Sequence, residues 1–99
     1  MNIHPIQEYI GRGDYRFSGH AVKRMIKRSI DRHEIEEVIL SGEIIEEYPD
    51  DKYSPSCLIY GKTQKERALH VQVSLPPLVV IVTTYEPELQ EWINGKRRR

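Results

Sequence analysis

The sequence predicts an α+β protein in which N-terminal helices pack on a four-stranded, mainly antiparallel sheet, followed by a short C-terminal helix. Three observations carry this expectation. Apolar residues recur at helical spacing through Leu40, and the pattern changes to strand-like runs from Glu43 onward. The connections between those runs are short, as antiparallel hairpins require. With 99 residues, of which 38% are hydrophobic and 30% charged, the chain is one domain with a single modest core rather than a disordered segment.

The elements follow in order. Ile3, Ile6 and Ile10 share one helical face, Pro5 sits in the first turn where its missing N–H costs nothing, and Gly11 stops the helix. Arg12-Gly-Asp14 is read as a turn. Ser18 is the expected N-cap of a basic helix that ends near Ser29. Asp31 begins the next helix, with Glu34 completing a capping-box pair and Ile35, Val38 and Ile39 forming its apolar stripe. Gly42 is its expected C-terminal glycine.

Strands are expected over residues 43–48, 56–62, 68–75 and 78–85. In the third, Leu69, Val71, Val73 and Leu75 alternate with His70, Gln72 and Ser74. The fourth is so rich in Leu, Val and Ile that it reads as a central strand covered on both faces. Glu86-Pro87 then opens a last helical turn or two reaching Trp92, and Asn94-Gly95 releases a basic tail. The expected organisation is one domain over residues 1–95 with a tail at 96–99.

The net charge is zero, yet it is strongly segregated. Residues 12–32 hold seven Lys or Arg against two Asp, whereas residues 34–51 hold eight acids and no base. A local positive field steers a polyanion even when the total charge is neutral. The apolar run 75–82 contains Pro76 and Pro77 and is far too short to cross a bilayer. Residues 1–10 lack the apolar stretch of a secretory signal, so a cytoplasmic location without membrane association is expected. Cys57 stands alone, as a reducing compartment allows.

Several familiar chemistries fail on spacing. Gly61-Lys62-Thr63 resembles the end of a phosphate loop, but Ser56 stands where the first glycine belongs. His4, His20, His33 and His70 are scattered without paired ligand spacing, so no metal site and no cofactor are expected. What remains is the basic helix. Ala21, Val22, Met25 and Ile26 occupy one arc, while His20, Lys23, Arg24, Lys27 and Arg28 occupy the opposite one. An imidazole beside guanidinium groups holds a phosphate and exchanges a proton near neutral pH. His70, projecting from the polar side of a strand, is a candidate second imidazole, and Tyr85 ends the neighbouring strand.

The string Ser18-Gly-His20-Ala21-x-x-Arg24-Met25-x-x-Arg28-x-Ile30 is followed by Gly42-Glu-Ile-Ile-Glu-Glu-Tyr48-Pro49, Leu58-Ile-Tyr-Gly61-Lys62, His70-Val71, Thr84-Tyr85-Glu86-Pro87 and Trp92. In that order and over roughly residues 17–92, these pieces resemble the bacterial family designated domain of unknown function 4258. Members of that family are similar to small RelE/ParE-like and BrnT-like toxins. The resemblance implies a type II toxin that acts as a metal-independent endoribonuclease on mRNA, free or on the ribosome. It also implies a cognate zinc-finger antitoxin of the MqsA type. Carried across position by position, it marks His20, His70 and Tyr85 as catalytic and Arg24 and Arg28 as RNA- or phosphate-binding; Lys27, on the basic helix face, and Lys62 are further candidate phosphate-binding residues. Two alternatives stay open: a non-catalytic binding module using the same basic face, and an interaction domain that recruits a partner through a sheet edge or the acidic helix.

Overall fold

The structure is a computed structural model that describes residues Met1–Arg99. Three helices, α1 (Ile3–Gly11), α2 (Gly19–Arg28) and α3 (Arg32–Ser41), lie in the N-terminal part of the chain, with a two-residue strand β1 (Arg16–Phe17) between the first two. Strands β2 (Glu43–Tyr48), β3 (Ser56–Lys62), β4 (Ala68–Ser74) and β5 (Val80–Tyr85) follow, and β6 (Trp92–Ile93) and β7 (Arg97–Arg98) end the chain. The main sheet has the order β1-β5-β4-β3-β2, and β6 pairs separately with β7.

The α+β architecture is as expected, but the sheet and the C-terminus are not. The sheet has five strands and is mixed, because β1 pairs with β5 in parallel, Arg16 opposite Val80 and Phe17 opposite Ile81. The Arg16 and Ser18 amides donate to the carbonyls of Val79 and Ile81 at 3.0 Å. A two-residue strand has no periodicity to read, so only its partner defines it. The expected C-terminal helix is a β-hairpin instead. Asn94 and Gly95 both adopt positive φ, and the Lys96 amide donates to the Ile93 carbonyl at 3.1 Å. Two consecutive left-handed residues suit Asn-Gly and reverse a chain between strands. Residues 97–98 consequently lie in a strand against Trp92 and Ile93.

The helix boundaries follow their caps. Ser18 Oγ accepts from the Ala21 amide at 3.0 Å, and Asp31 with Glu34 forms the reciprocal capping box. Gly42 is needed for a different reason than expected. Its φ is −94°, but an added methyl would run into the carbonyl oxygens of Val38 and Tyr60 where α3 meets β3.

The two faces of the main sheet have different covers. On one face, α3 packs on β3 and β4 and α1 packs on α3, burying Ile6, Ile10, Ile35, Val38 and Ile39 against Ile59, Leu69, Val71 and Val73. On the other, Tyr60, His70 and Tyr85 stand side by side across β3, β4 and β5, and the terminal hairpin lies over them. Helix α2 packs on β5, filling the edge that the short β1 leaves. Ala21 is buried there and Met25 packs against the core, whereas Val22 and Ile26 are exposed because the strand edge offers only a narrow strip of contact.

One side chain ties these parts together. Arg67, in the β3–β4 turn, donates through Nη2 to the Arg28 carbonyl and through Nη1 to the Ser29 carbonyl, both at 2.8 Å. The same guanidinium reaches Glu34 at 3.1 Å and Glu86 at 3.3 Å. Two carbonyls at the end of α2 are satisfied this way, and α3 and the end of β5 are held in the same contact. Removing it leaves both carbonyls without that partner and Glu34 with only its capping-box bond from the Asp31 amide. Arg67→Ala is expected to cost about 2 kcal/mol in urea denaturation, and Arg67→Lys to recover little, because one ammonium does not reproduce the planar fork. An unchanged denaturation midpoint for Arg67→Ala would contradict this account.

Candidate nucleic-acid interface

Helix α2 presents its cations to solvent without acidic partners. No ion pair or side-chain hydrogen bond engages Lys23, Arg24, Lys27 or Arg28, nor His20 beside them. Several acids elsewhere on the chain are already engaged, Glu34 by Arg67, Glu36 by Arg32, Glu43 by Lys96 and Glu46 by Arg98, while Glu88 and Glu91 share a cavity with Arg24 and Arg28 without pairing with them. The segregation visible in the sequence therefore survives folding instead of collapsing into one salt-bridge net. Within the basic C-terminus, Arg98 is engaged away from the helix face, against Glu46 at 2.7 Å and over the Trp92 ring at 4.6 Å.

Two adjoining depressions run along α2. His20, Lys23, Arg24 and Lys27 line a shallow groove. Arg24 also lines a cavity of about 270 Å³ together with Arg28, Thr83, Tyr85, Glu86, Glu88 and Glu91. The structure thus brings Arg24, Arg28 and Tyr85 to one cavity and places His20 next to it, one helical turn before Arg24. Lys62 lies elsewhere, exposed at the end of β3 with Glu66 3.7 Å away, and lines neither depression.

His70 occupies a different environment from His20. It is fully buried, with the Trp92 ring edge-on at 4.5 Å and Tyr60 and Tyr85 flanking it at 6.0 and 5.3 Å. A carbonyl oxygen only accepts, so the 2.5 Å contact from Nε2 to the Gly95 carbonyl places the ring proton on Nε2. Nδ1 is then the acceptor for the Tyr85 hydroxyl at 3.4 Å. Burial holds the imidazole below its ordinary pKa, partly opposed by the Gly95 hydrogen bond. Burial likewise pushes the Tyr85 phenol up, so it stays protonated at neutral pH. No hydrogen bond or ring contact links His70 with His20.

Sequence reasoning missed Arg67, Glu88, Glu91 and the covering role of Trp92. The Asn94-Gly95 pair was the available signal for the hairpin. Arg67, read as part of a polar turn, had no signal, since its partners lie 19 to 39 residues away.

Fold and site together define a small α+β protein with an unpaired cationic helix along the edge of a mixed sheet. The chain belongs to the DUF4258 family, a domain of unknown function, whose model matches residues 17–86. That span runs from β1 through β5 and leaves α1 and the terminal hairpin outside. No curated protein and no solved structure matches the chain.

The buried imidazole makes stability depend on pH. With its pKa depressed in the folded state, His70 binds a proton more readily when unfolded, so its contribution is complete above about pH 6.5 and declines as pH falls below that value. The melting temperature is expected to drop between pH 7.5 and 5.5, and His70→Gln, which keeps a donor for the Gly95 carbonyl, to flatten that part of the profile. A profile equally steep in the variant would assign the effect to another group.

Proposed function

We propose that the α2 face binds the phosphate backbone of RNA. The observation that carries this reading is the set of four unpaired Lys and Arg side chains on one ten-residue helix, in a chain whose net charge is zero. Cations without protein partners keep their full attraction for a polyanion and displace its counterions on binding. Because the groove is shallow and the cavity small, a single strand fits them better than a duplex groove-reading geometry does.

A second reading adds strand cleavage, as a type II toxin restrained by a zinc-finger antitoxin of the MqsA type that covers this face. What supports it is Arg24 standing between His20 and Tyr85 at the junction of the two depressions. A phosphate held by Arg24 and Arg28 has an imidazole on one side and an un-ionised phenol on the other. In this chemistry the 2′-oxygen attacks phosphorus and the bond to the 5′-oxygen breaks. His20 takes the 2′-hydroxyl proton, Tyr85 turns its hydroxyl from His70 Nδ1 and gives its one proton to the leaving oxygen, becoming a phenolate, and the two guanidinium groups stabilise the phosphorane. His70, enclosed behind Tyr85, is then a positioning residue that receives the Tyr85 hydroxyl rather than an acid or base acting on substrate. The RelE/ParE-like and BrnT-like likeness belongs to this reading.

Lys23→Glu/Lys27→Glu is expected to weaken binding of a fluorescent single-stranded RNA at least tenfold. It should also flatten the plot of log affinity against log salt by about 1.4, two phosphate contacts at about 0.7 each. Equal affinity and slope for the two proteins would remove the α2 face from RNA binding. His20→Ala should retain most binding and, in EDTA, abolish any cleavage of end-labelled RNA that the parent protein shows. Cleavage persisting in His20→Ala would exclude His20 as the base.

A further inference from the structure

The cavity beside α2 carries a charge pattern that phosphate binding does not use. Arg24 and Arg28 stand on one wall, and Glu88 and Glu91 on the other. Neither carboxylate has an ion pair or a side-chain hydrogen bond, in contrast to Glu86, which Arg67 engages. The two acids face the same space because they share one turn, in which the amides of Glu91 and Trp92 both donate to the Glu88 carbonyl at 3.0 Å. Tyr85 supplies a half-buried aromatic ring between the two walls. A site for phosphate alone has no need of free carboxylates, which repel it. A site for a group with an anionic end and a hydrogen-bond-donating end needs both walls.

Arg24 belongs to the phosphate groove and to this cavity, so a nucleotide whose phosphate lies at Arg24 directs its base toward Tyr85, Glu88 and Glu91. A carboxylate accepts two parallel hydrogen bonds and donates none when ionised. Among the four RNA bases, only guanine offers two adjacent donors on its pairing edge, N1–H and the 2-amino group. Adenine and cytosine each set one amino donor beside a ring acceptor, and uracil sets its one N–H between two carbonyl oxygens. Only guanine can therefore give both oxygens of one carboxylate a donor from adjacent positions of its pairing edge, with its O6 carbonyl left to one side.

We propose that this cavity is a guanine-selective subsite for single-stranded RNA, with Glu88 or Glu91 accepting the two guanine N–H donors and Tyr85 providing the stacking surface. The subsite rests on the RNA reading of α2 given above. It makes the protein selective by base and not only by charge.

The test uses the full chain and fluorescent octamers of uridine carrying one central guanosine, inosine, adenosine or cytidine. Guanosine is expected to bind about tenfold more tightly than adenosine or cytidine, as one bidentate base contact provides. Inosine, which keeps N1–H and lacks the 2-amino group, should fall between them. Glu88→Gln/Glu91→Gln changes two exposed side chains and should bind all four octamers within a factor of about two of one another. Equal binding of the octamers by the parent protein, with salt dependence and the loss in Lys23→Glu/Lys27→Glu intact, overturns the subsite and leaves the α2 reading standing. Guanosine preference that survives in the double variant also overturns it. Failure of every octamer to bind overturns the reading of α2 itself.

Discussion

The Arg67 guanidinium is the constraint on which the placement of α2 depends. It comes from the turn between β3 and β4, yet its hydrogen bonds end on the last carbonyls of α2, on Glu34 in the first turn of α3 and on Glu86 just past β5. A helix C-terminus collects partial negative charge and unsatisfied carbonyls, and a planar cation with several donors answers both. Ser29, at the same helix end, adopts a left-handed conformation with φ 53°, and the Ile30 amide closes back on the Met25 carbonyl at 2.9 Å. These contacts fix where α2 stops. Arg28 is the last residue of the helix, so its side chain, and that of Arg24 one turn earlier, are aimed along the end of β5 and not into solvent at large.

Charge balance then follows from topology. The acids of α3 and β2 outnumber the bases in their own stretch of sequence, and apart from Arg32 on Glu36 the side-chain cations that engage them come from distant parts of the chain: Arg67 from a turn, Lys96 and Arg98 from the terminal hairpin. Most of these pairs are at the surface and individually contribute little to stability. Their collective effect is on the field. With the acidic stretch screened by C-terminal and turn cations, Lys23 and Lys27 stand unopposed on α2, and only Arg24 and Arg28 share a cavity with free carboxylates, those of Glu88 and Glu91. A zero net charge and a strongly positive face are thus compatible in one small domain.

How much of this was legible in the sequence depended on whether the signal was local. Caps are local, and Ser18, Asp31 and Glu34 perform the roles their spacing indicates. Long strands are also legible, since the alternation in residues 68–74 places Leu69, Val71 and Val73 on the helix-covered face as their pattern requires. β1 was not legible, because two residues acquire strand geometry only from β5 in a parallel pairing more than 60 residues away. The apolar arc of α2 misled for a related reason. Val22 and Ile26 lie beside Ala21 and Met25 on the helical wheel, but a helix at a sheet edge buries a narrower strip than one lying on a face. The Asn94-Gly95 turn was present as a signal, and the run of charge after it obscured the strand that the turn creates.

The two histidines show where residue type alone stops being informative. Both stand beside apolar and basic neighbours, and both have the chemistry that RNA cleavage uses. Their differences come entirely from what covers them. His20 lies on an exposed helix face with no hydrogen-bond partner. His70 is enclosed by Trp92, with its proton committed to the Gly95 carbonyl and its lone pair turned to Tyr85. The cover is supplied by the last eight residues of the chain, which lie outside the span that defines the family. An imidazole that is neutral, dry and bonded at both nitrogens has no free site at which to take a proton from a ligand. It can still act through the phenol it holds, and Tyr85 is the one residue that faces both the enclosed His70 and the open cavity at α2. The physical link between the enclosed imidazole of the sheet and the cavity beside the basic helix is therefore Tyr85.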